Sequence, residues 1–358
     1  MKKVAQLITF FIIISVYSLH SQNISVQDII QEGVELHDSG EYKEAIDKYN
    51  KALEMDSTSI SAVYEMSLSY LALKDFENAS LYSTQVINSD DETLLPGAYA
   101  VKSEALAEMD SVDKAIELLY EGLEKNGEDY LLNFNLAINF FKKGDIDKTL
   151  EFVKKAIDLD KSHSGAFLLN AYALNEKGLW VQSILSFQMF LLLEPDSKRS
   201  KNAFEEMLQT MRIEKADKPV ERSFIQQQMS RKESTVQNVD IPPLSIENGL
   251  NRNFVYNAIT TTLDSLENLS EEVDEFTVFK TVNMEIMKVL ERESKGLKEG
   301  TFWTFYIPFF SHIAHSNYYD TFCRYISVSY FPESLEWWKQ NPESAINFVI
   351  WFEKGDNI

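Results

Sequence analysis

A single cysteine, Cys323, stands in this chain of 358 residues. No internal disulfide can form, and no four-cysteine zinc site exists. Glycine and proline are scarce as well, 12 and 8, about half of average usage, which disfavours a turn-rich β-sandwich or a dinucleotide fold built on glycine loops. Basic residues are outnumbered 34 to 56, for a formal charge of −22. Such a surface repels phosphate backbones, so nucleic acid is not an expected partner. No Gly-x-Ser-x-Gly, phosphate loop, dinucleotide glycine pattern or HExxH occurs. What is present is 44% hydrophobic residues and 12% aromatics, the composition of a folded chain with core enough for about two domains.

The first residues read as an export signal. Met1-Lys2-Lys3 is a short positive start, Leu7 to Tyr17 an apolar run broken only by Thr9 and Ser15, and Ser18 to Ser21 a small polar stretch. That three-part layout predicts cleavage between Ser21 and Gln22. The apolar run is about half of what a spanning helix needs, and no later segment reaches eighteen apolar residues, so no membrane span is expected in the mature chain. An exported chain with one cysteine points to a bacterial compartment, periplasmic or cell-surface.

The middle of the chain repeats itself. Gly40-Glu41-Tyr42-Lys43-Glu44-Ala45-Ile46 aligns with Lys74-Asp75-Phe76-Glu77-Asn78-Ala79-Ser80 and with three later stretches. The small residue recurs at Ala45, Ala79, Ala115, Thr149 and Ser183, in steps of 34, 36, 34 and 34. A fixed period near 34 predicts stacked helical hairpins, because one hairpin cannot bury its own apolar face. Apolar residues within each period are spaced by 3–4, as in Tyr42, Ala45, Ile46, Tyr49 and Ala52. Gly33 and Ala45 are small where two helices must approach closely. Gly40, Gly144 and Gly178 mark joints, and Ser25-x-x-Asp28, Asp145 and Ser57-Thr58-Ser59 mark helix starts.

Gly33, Ala45 and Ala52, with Pro195 closing the fifth period, make residues 26–196 resemble the tetratricopeptide repeat family. Thr149, Ser183, Gly122 and Phe190 depart from that family's small-residue pattern, and its early tryptophan is absent. The resemblance implies an all-α fold: a right-handed α-solenoid of five hairpins plus a capping helix over Ser200–Met211. It also implies that the first helix of each hairpin lines a concave, partner-binding surface. Projecting the register places Tyr64, Leu68 and Leu71 there from repeat two, with Ala100, Val101 and Glu104 from repeat three. Repeats four and five contribute Phe134, Asn135, Ile138 and Phe141, then Leu168, Leu169 and Tyr172. This face is largely apolar. Relatives that grip acidic C-termini of chaperones use basic and asparagine side chains at such positions, and only Asn135 and Lys142 fit, so a carboxylate clamp is not expected. An apolar groove of this size calls for an occupant, either a partner's amphipathic helix or the chain's own C-terminal region.

The domain reading is a signal peptide over 1–21, the solenoid over 22–215, a polar linker over 216–248 bounded by Pro242-Pro243, and a separate helical C-terminal domain over 249–358. In that last domain Phe254, Ile259, Leu263 and Leu266 are spaced as one helix face, and Val273, Phe276, Phe279, Val282, Ile286 and Leu290 as another. Thr301 to Phe352 holds 17 of the 44 aromatics, read as a core. His312-x-x-His315 with Asp320 and Cys323 has metal-ligand residue types but matches no strong spacing, and Ser111-x-x-Lys114 is a catalytic fragment without its partner motifs. No metal, cofactor or catalytic residue is assigned. The sequence therefore reads as an exported, non-catalytic interaction scaffold for another protein or amphipathic peptide. The alternative is an enzyme or small-ligand domain at the C-terminus recruited by the repeats; a deep pocket lined by Trp303, Tyr306, His312 and His315 would favour it.

Overall fold

The computed structural model describes residues 25–89, 91–212, 246–247, 249–269, 272–296 and 299–354. The proposed signal peptide and most of the proposed linker lie outside them. Contacts divide the chain into two compact units, Met1–Gly127 and Glu128–Ile358.

The N-terminal unit is three antiparallel helix pairs: α1 (Val26–Asp38) with α2 (Tyr42–Met55), α3 (Ile60–Ala72) with α4 (Phe76–Ile87), and α5 (Leu95–Glu108) with α6 (Val112–Asn126). The second unit begins with two more, α7 (Tyr130–Lys143) with α8 (Ile146–Leu159) and α9 (Ser164–Glu176) with α10 (Trp180–Leu193), then α11 (Lys198–Thr210). All five pairs turn in the same way. Residues 40, 74, 110, 144 and 178 each take positive φ, between 56° and 82°. Each donates its N–H to the carbonyl three residues back, and the next residue donates to the carbonyl five back, as in Gly40 to His37 and Glu41 to Leu36. This is the Schellman closure of a helix C-terminus. Three joints use glycine, for which the left-handed region has no steric cost; Lys74 and Asp110 occupy it with a Cβ.

Small residues let the two helices of a pair approach. Gly33 faces Tyr49 so closely that a Cβ there would meet the ring's Cε1 at 2.4 Å. Ala45, Ala79 and Ala115 are fully buried, and so are the polar replacements Thr149 and Ser183. Their hydroxyls do not go unsatisfied. Thr149 Oγ1 donates to the Asp145 carbonyl at 2.8 Å, and Ser183 Oγ crosses to the Ala171 carbonyl at 2.8 Å, which removes the desolvation penalty of a buried hydroxyl. Ser25 and Asp28 form a reciprocal capping box, and Asp145 accepts from the Lys148 N–H. Ser59 and Ser111 occupy cap positions without a side-chain cap bond.

After α11 come a two-residue antiparallel pairing, β1 (Ile246–Glu247) with β2 (Leu250–Asn251), then α12 (Arg252–Glu267) and α13 (Glu275–Glu293). A π-helical turn over Phe302–Tyr306 leads into α14 (Ile307–His315), α15 (Tyr319–Ile326), α16 (Pro332–Gln340) and α17 (Pro342–Lys354). These helices pack on the last repeat: α15 contacts α10, Phe204 of α11 stacks edge-on to Phe279 and Phe331, and the Arg252 guanidinium donates to the Gly178 carbonyl. The reason lies in α10, whose residues from Trp180 to Leu192 are all buried except Gln182. A helix that is apolar all round needs neighbours on every side.

The expected face of α13 is buried at Phe276, Phe279, Val282, Ile286 and Leu290. On α12 the expected face holds at Ile259, which is buried, and at Leu263 and Leu266, which are half-buried, but Val255 takes the inside place expected of Phe254, which is exposed beneath the Arg292 guanidinium, 5.5 Å from its ring. The aromatics after Thr301 do form a core: Phe310, Phe322 and Phe348 are almost wholly buried.

Candidate functional site

The first helices of the pairs carry the projected binding residues. In the N-terminal unit Tyr64, Leu68 and Leu71 of α3 are half-buried and pack against Val101 and Ala105 of α5. The Tyr64 hydroxyl lies over Gly97, where a Cβ would stand only 2.3 Å from it. Glycine at the start of α5 thus lets the ring lie along the face.

In the second unit Phe134 and Ile138 of α7 are half-buried. Asn135, Phe141, Leu168, Leu169 and Tyr172 are buried. Asn135 donates its side-chain N–H to the Leu131 carbonyl at 2.9 Å. Tyr172 packs edge-on to Phe187, and its hydroxyl stands 3.4 Å from Glu206 on α11. Tyr172 and Glu206 are one 34-residue period apart, so α11 continues the repeat register. Burial pushes the Glu206 carboxyl up to about 8, with Glu205 adding to the rise and the Tyr172 hydroxyl opposing it.

An aromatic cluster that sequence reasoning missed joins this face. The His163 ring lies 4.6 Å from Tyr130 and 5.1 Å from Phe134, centroid to centroid. Gly165 sits beneath, where a Cβ would meet His163 and Phe134 at 3.0 and 3.2 Å. The Tyr130 hydroxyl and His163 Nδ1 are buried without a hydrogen-bond partner. Burial lowers the His163 pKa, against the pull of Asp160, so the imidazole is neutral at neutral pH. His163 is also the residue before α9, and the only sequence signal was its place about one period beyond Tyr130, itself adjacent to an aromatic face.

The residues with metal-ligand chemistry do not converge. His312 stacks on Trp351 at 5.5 Å, His315 Nε2 meets Glu291 at 2.9 Å, and Asp320 is held by Lys280 at 2.6 Å and Arg324 at 2.9 Å. Cys323 is buried, and burial pushes its thiol up to about 12. Among the described residues no group of three such side chains could hold a metal ion. The C-terminal region instead borders a cavity of about 240 Å³, where Phe302 and Tyr306 face Leu150, Ile157, Asn170 and Leu174. Of the pocket residues named from sequence, Tyr306 lines it, while Trp303, His312 and His315 do not. Among the described residues no helix is long and apolar enough to cross a membrane.

No protein-family model matches the chain. It is similar to a TPR repeat-containing protein of Methanocaldococcus jannaschii, 24% identical over 154 residues, which cover 42% of this chain. The matched part spans 27% of that relative's length. Among solved structures it resembles a thermophilic TPR protein of Thermus thermophilus, with 18% identity and a TM-score of 0.47 over 52% of this chain and 99% of the other. It also resembles PilF of Pseudomonas aeruginosa, with 16% identity and a TM-score of 0.44 over 57% and 87%. The repeat architecture itself is read from this chain's own five hairpins and their recurring turns.

Proposed function

We propose that the protein is an exported interaction scaffold that holds a polypeptide partner on the first-helix faces of its hairpins and acts by binding rather than catalysis. The observation that carries this reading is the set of half-buried apolar side chains, Tyr64, Leu68 and Leu71 in one unit and Phe134 and Ile138 in the other. Large apolar groups held partly in water on a rigid surface gain free energy when a partner covers them, at about 25 cal/mol per Å² of apolar area. Asn135, Phe141, Leu168, Leu169 and Tyr172 support that surface from beneath. Export is supported by the charge and hydropathy of residues 1–21, and the negative surface favours partners that are not acidic.

The test is a photo-cross-linking amino acid placed at Leu68 or Ile138 of the full chain in its own cell. Discrete adducts are expected from both positions and not from Glu54, an exposed site on α2. Identical adducts from all three, or none from Leu68 and Ile138, would refute the reading.

A further inference from the structure

The N-terminal unit concentrates the chain's charge. Residues 26–127 hold 22 acidic and 7 basic side chains, a net −15 of the whole chain's −22. The first-helix face of this unit is more one-sided still. Across its three repeats the projected face positions include Asp38, Glu65, Glu104 and Glu108, and not one lysine or arginine.

Two of these carboxylates, Asp38 and Glu65, act electrostatically on one another and on the buried Tyr49 hydroxyl. Glu65 is half-buried, and burial raises its pKa, with Asp38 adding to the rise. Neither has an ion pair among the described residues. The Tyr49 hydroxyl is buried beside Ser69, whose hydroxyl also engages His37 Nδ1 at 2.8 Å, so the end of α1 packs against α3 here. Burial pushes Tyr49 up to about 12, and the negative charges of Glu65 and Asp38 contribute. One residue from Glu65 on α3 begins the half-buried stripe of Tyr64, Leu68 and Leu71. An apolar stripe is thus bordered by Asp38 and Glu65, two carboxylates without an ion pair among the described residues. A cation entering between Asp38 and Glu65 would relieve their like-charge repulsion.

We propose that this face takes an amphipathic helix bearing lysine or arginine from a partner protein, with apolar side chains on Tyr64, Leu68 and Leu71 and a cationic side chain between Asp38 and Glu65. The proposal rests on the reading that first-helix faces bind polypeptide, and adds the partner's charge. A helix supplies the required pattern when its basic residues fall three or four positions from its apolar ones. Acidic helices with the same stripe are rejected by the net charge of −15 over residues 26–127, which gives selectivity through repulsion as well as attraction.

The full-length protein is titrated with two labelled helical peptides of about 18 residues. They share one leucine stripe and carry either lysine or glutamate on the polar face. The lysine peptide is expected to bind at least about tenfold more tightly at low ionic strength. The double variant Asp38→Asn/Glu65→Gln should weaken it about 5- to 10-fold, while Glu54→Gln/Glu77→Gln, which removes the same charge from exposed sites on α2 and α4, should change it less than about twofold. If both peptides bind equally and Leu68→Ala weakens both, the docking face stands and the charge selection is overturned. If Leu68→Ala leaves the lysine peptide unaffected, or the two double variants weaken it alike, binding is diffuse and the docking face itself fails.

Discussion

The side-chain nitrogen of Gln188 donates to the side-chain oxygen of Asn283 at 2.8 Å, joining two fully buried amides that lie 95 residues apart in the chain. Gln188 belongs to the last repeat and Asn283 to the second helix of the C-terminal region. A polar contact inside an apolar interface orients it, because any other alignment would leave both amides unsatisfied.

Replacing either partner alone, Gln188→Leu or Asn283→Leu, should cost about 1–3 kcal/mol, since the remaining amide is orphaned. The double substitution should cost less than the two singles together. Equilibrium urea unfolding of the four proteins measures the coupling; additivity would show that the pair does not act as a unit.

Gly33→Ala sets two effects against each other. Alanine gains about 1 kcal/mol of helix propensity over glycine, but its Cβ would stand 2.4 Å from Tyr49 Cε1, on a ring that is fully buried. Overpacking of this kind costs about 1–3 kcal/mol, so a net loss is expected, and a lower urea midpoint shows it.

The joint residues Lys74 and Asp110 hold positive φ where Gly40, Gly144 and Gly178 do so without a Cβ. Lys74→Gly and Asp110→Gly should each stabilise the fold by about 0.5–1 kcal/mol, the left-handed cost removed less the extra entropy of glycine in the unfolded chain. Gly144→Ala should destabilise by a similar amount. Thermal unfolding of the three variants checks the sign.

Glu206 sits at about 8 when folded, against its ordinary 4.5 when unfolded. The folded state therefore holds the proton more tightly. The stability this contributes is complete below about pH 4.5 and disappears as pH rises through about 8, at up to ~1.4 kcal/mol per pH unit. Glu206→Gln, neutral throughout, should flatten that decline. Chemical unfolding at intervals from about pH 5 to 8 measures it, and parallel curves for the two proteins would refute it.

Local periodicity was legible because each hairpin is built from near neighbours. The spacing of Ala45, Ala79, Ala115, Thr149 and Ser183 marks five hairpins, and the structure has those five. The small side chain at Gly33 signalled a close approach, which Tyr49 makes. Polar residues in small-residue positions looked like departures from pattern, and only coordinates show Thr149 and Ser183 satisfied by backbone carbonyls. The helix from Trp180 to Leu193 is apolar on every side, a signal in the sequence that it needs more cover than its own repeat provides. Which residues would supply that cover was not legible, because Asn283 and its neighbours are distant in sequence and share no period with the repeats.

The amino-acid order alone determined the helices, their turns, the single thiol and the placement of acidic charge, since these follow from spacing, backbone sterics and composition. The tertiary structure decided which side chains of the first-helix faces stay partly in water and which, like Leu168 and Tyr172, are enclosed. It also decided that α13 and α15 pack on the last repeat. Burial depends on which surfaces meet across long stretches of chain, and no local pattern specifies that meeting.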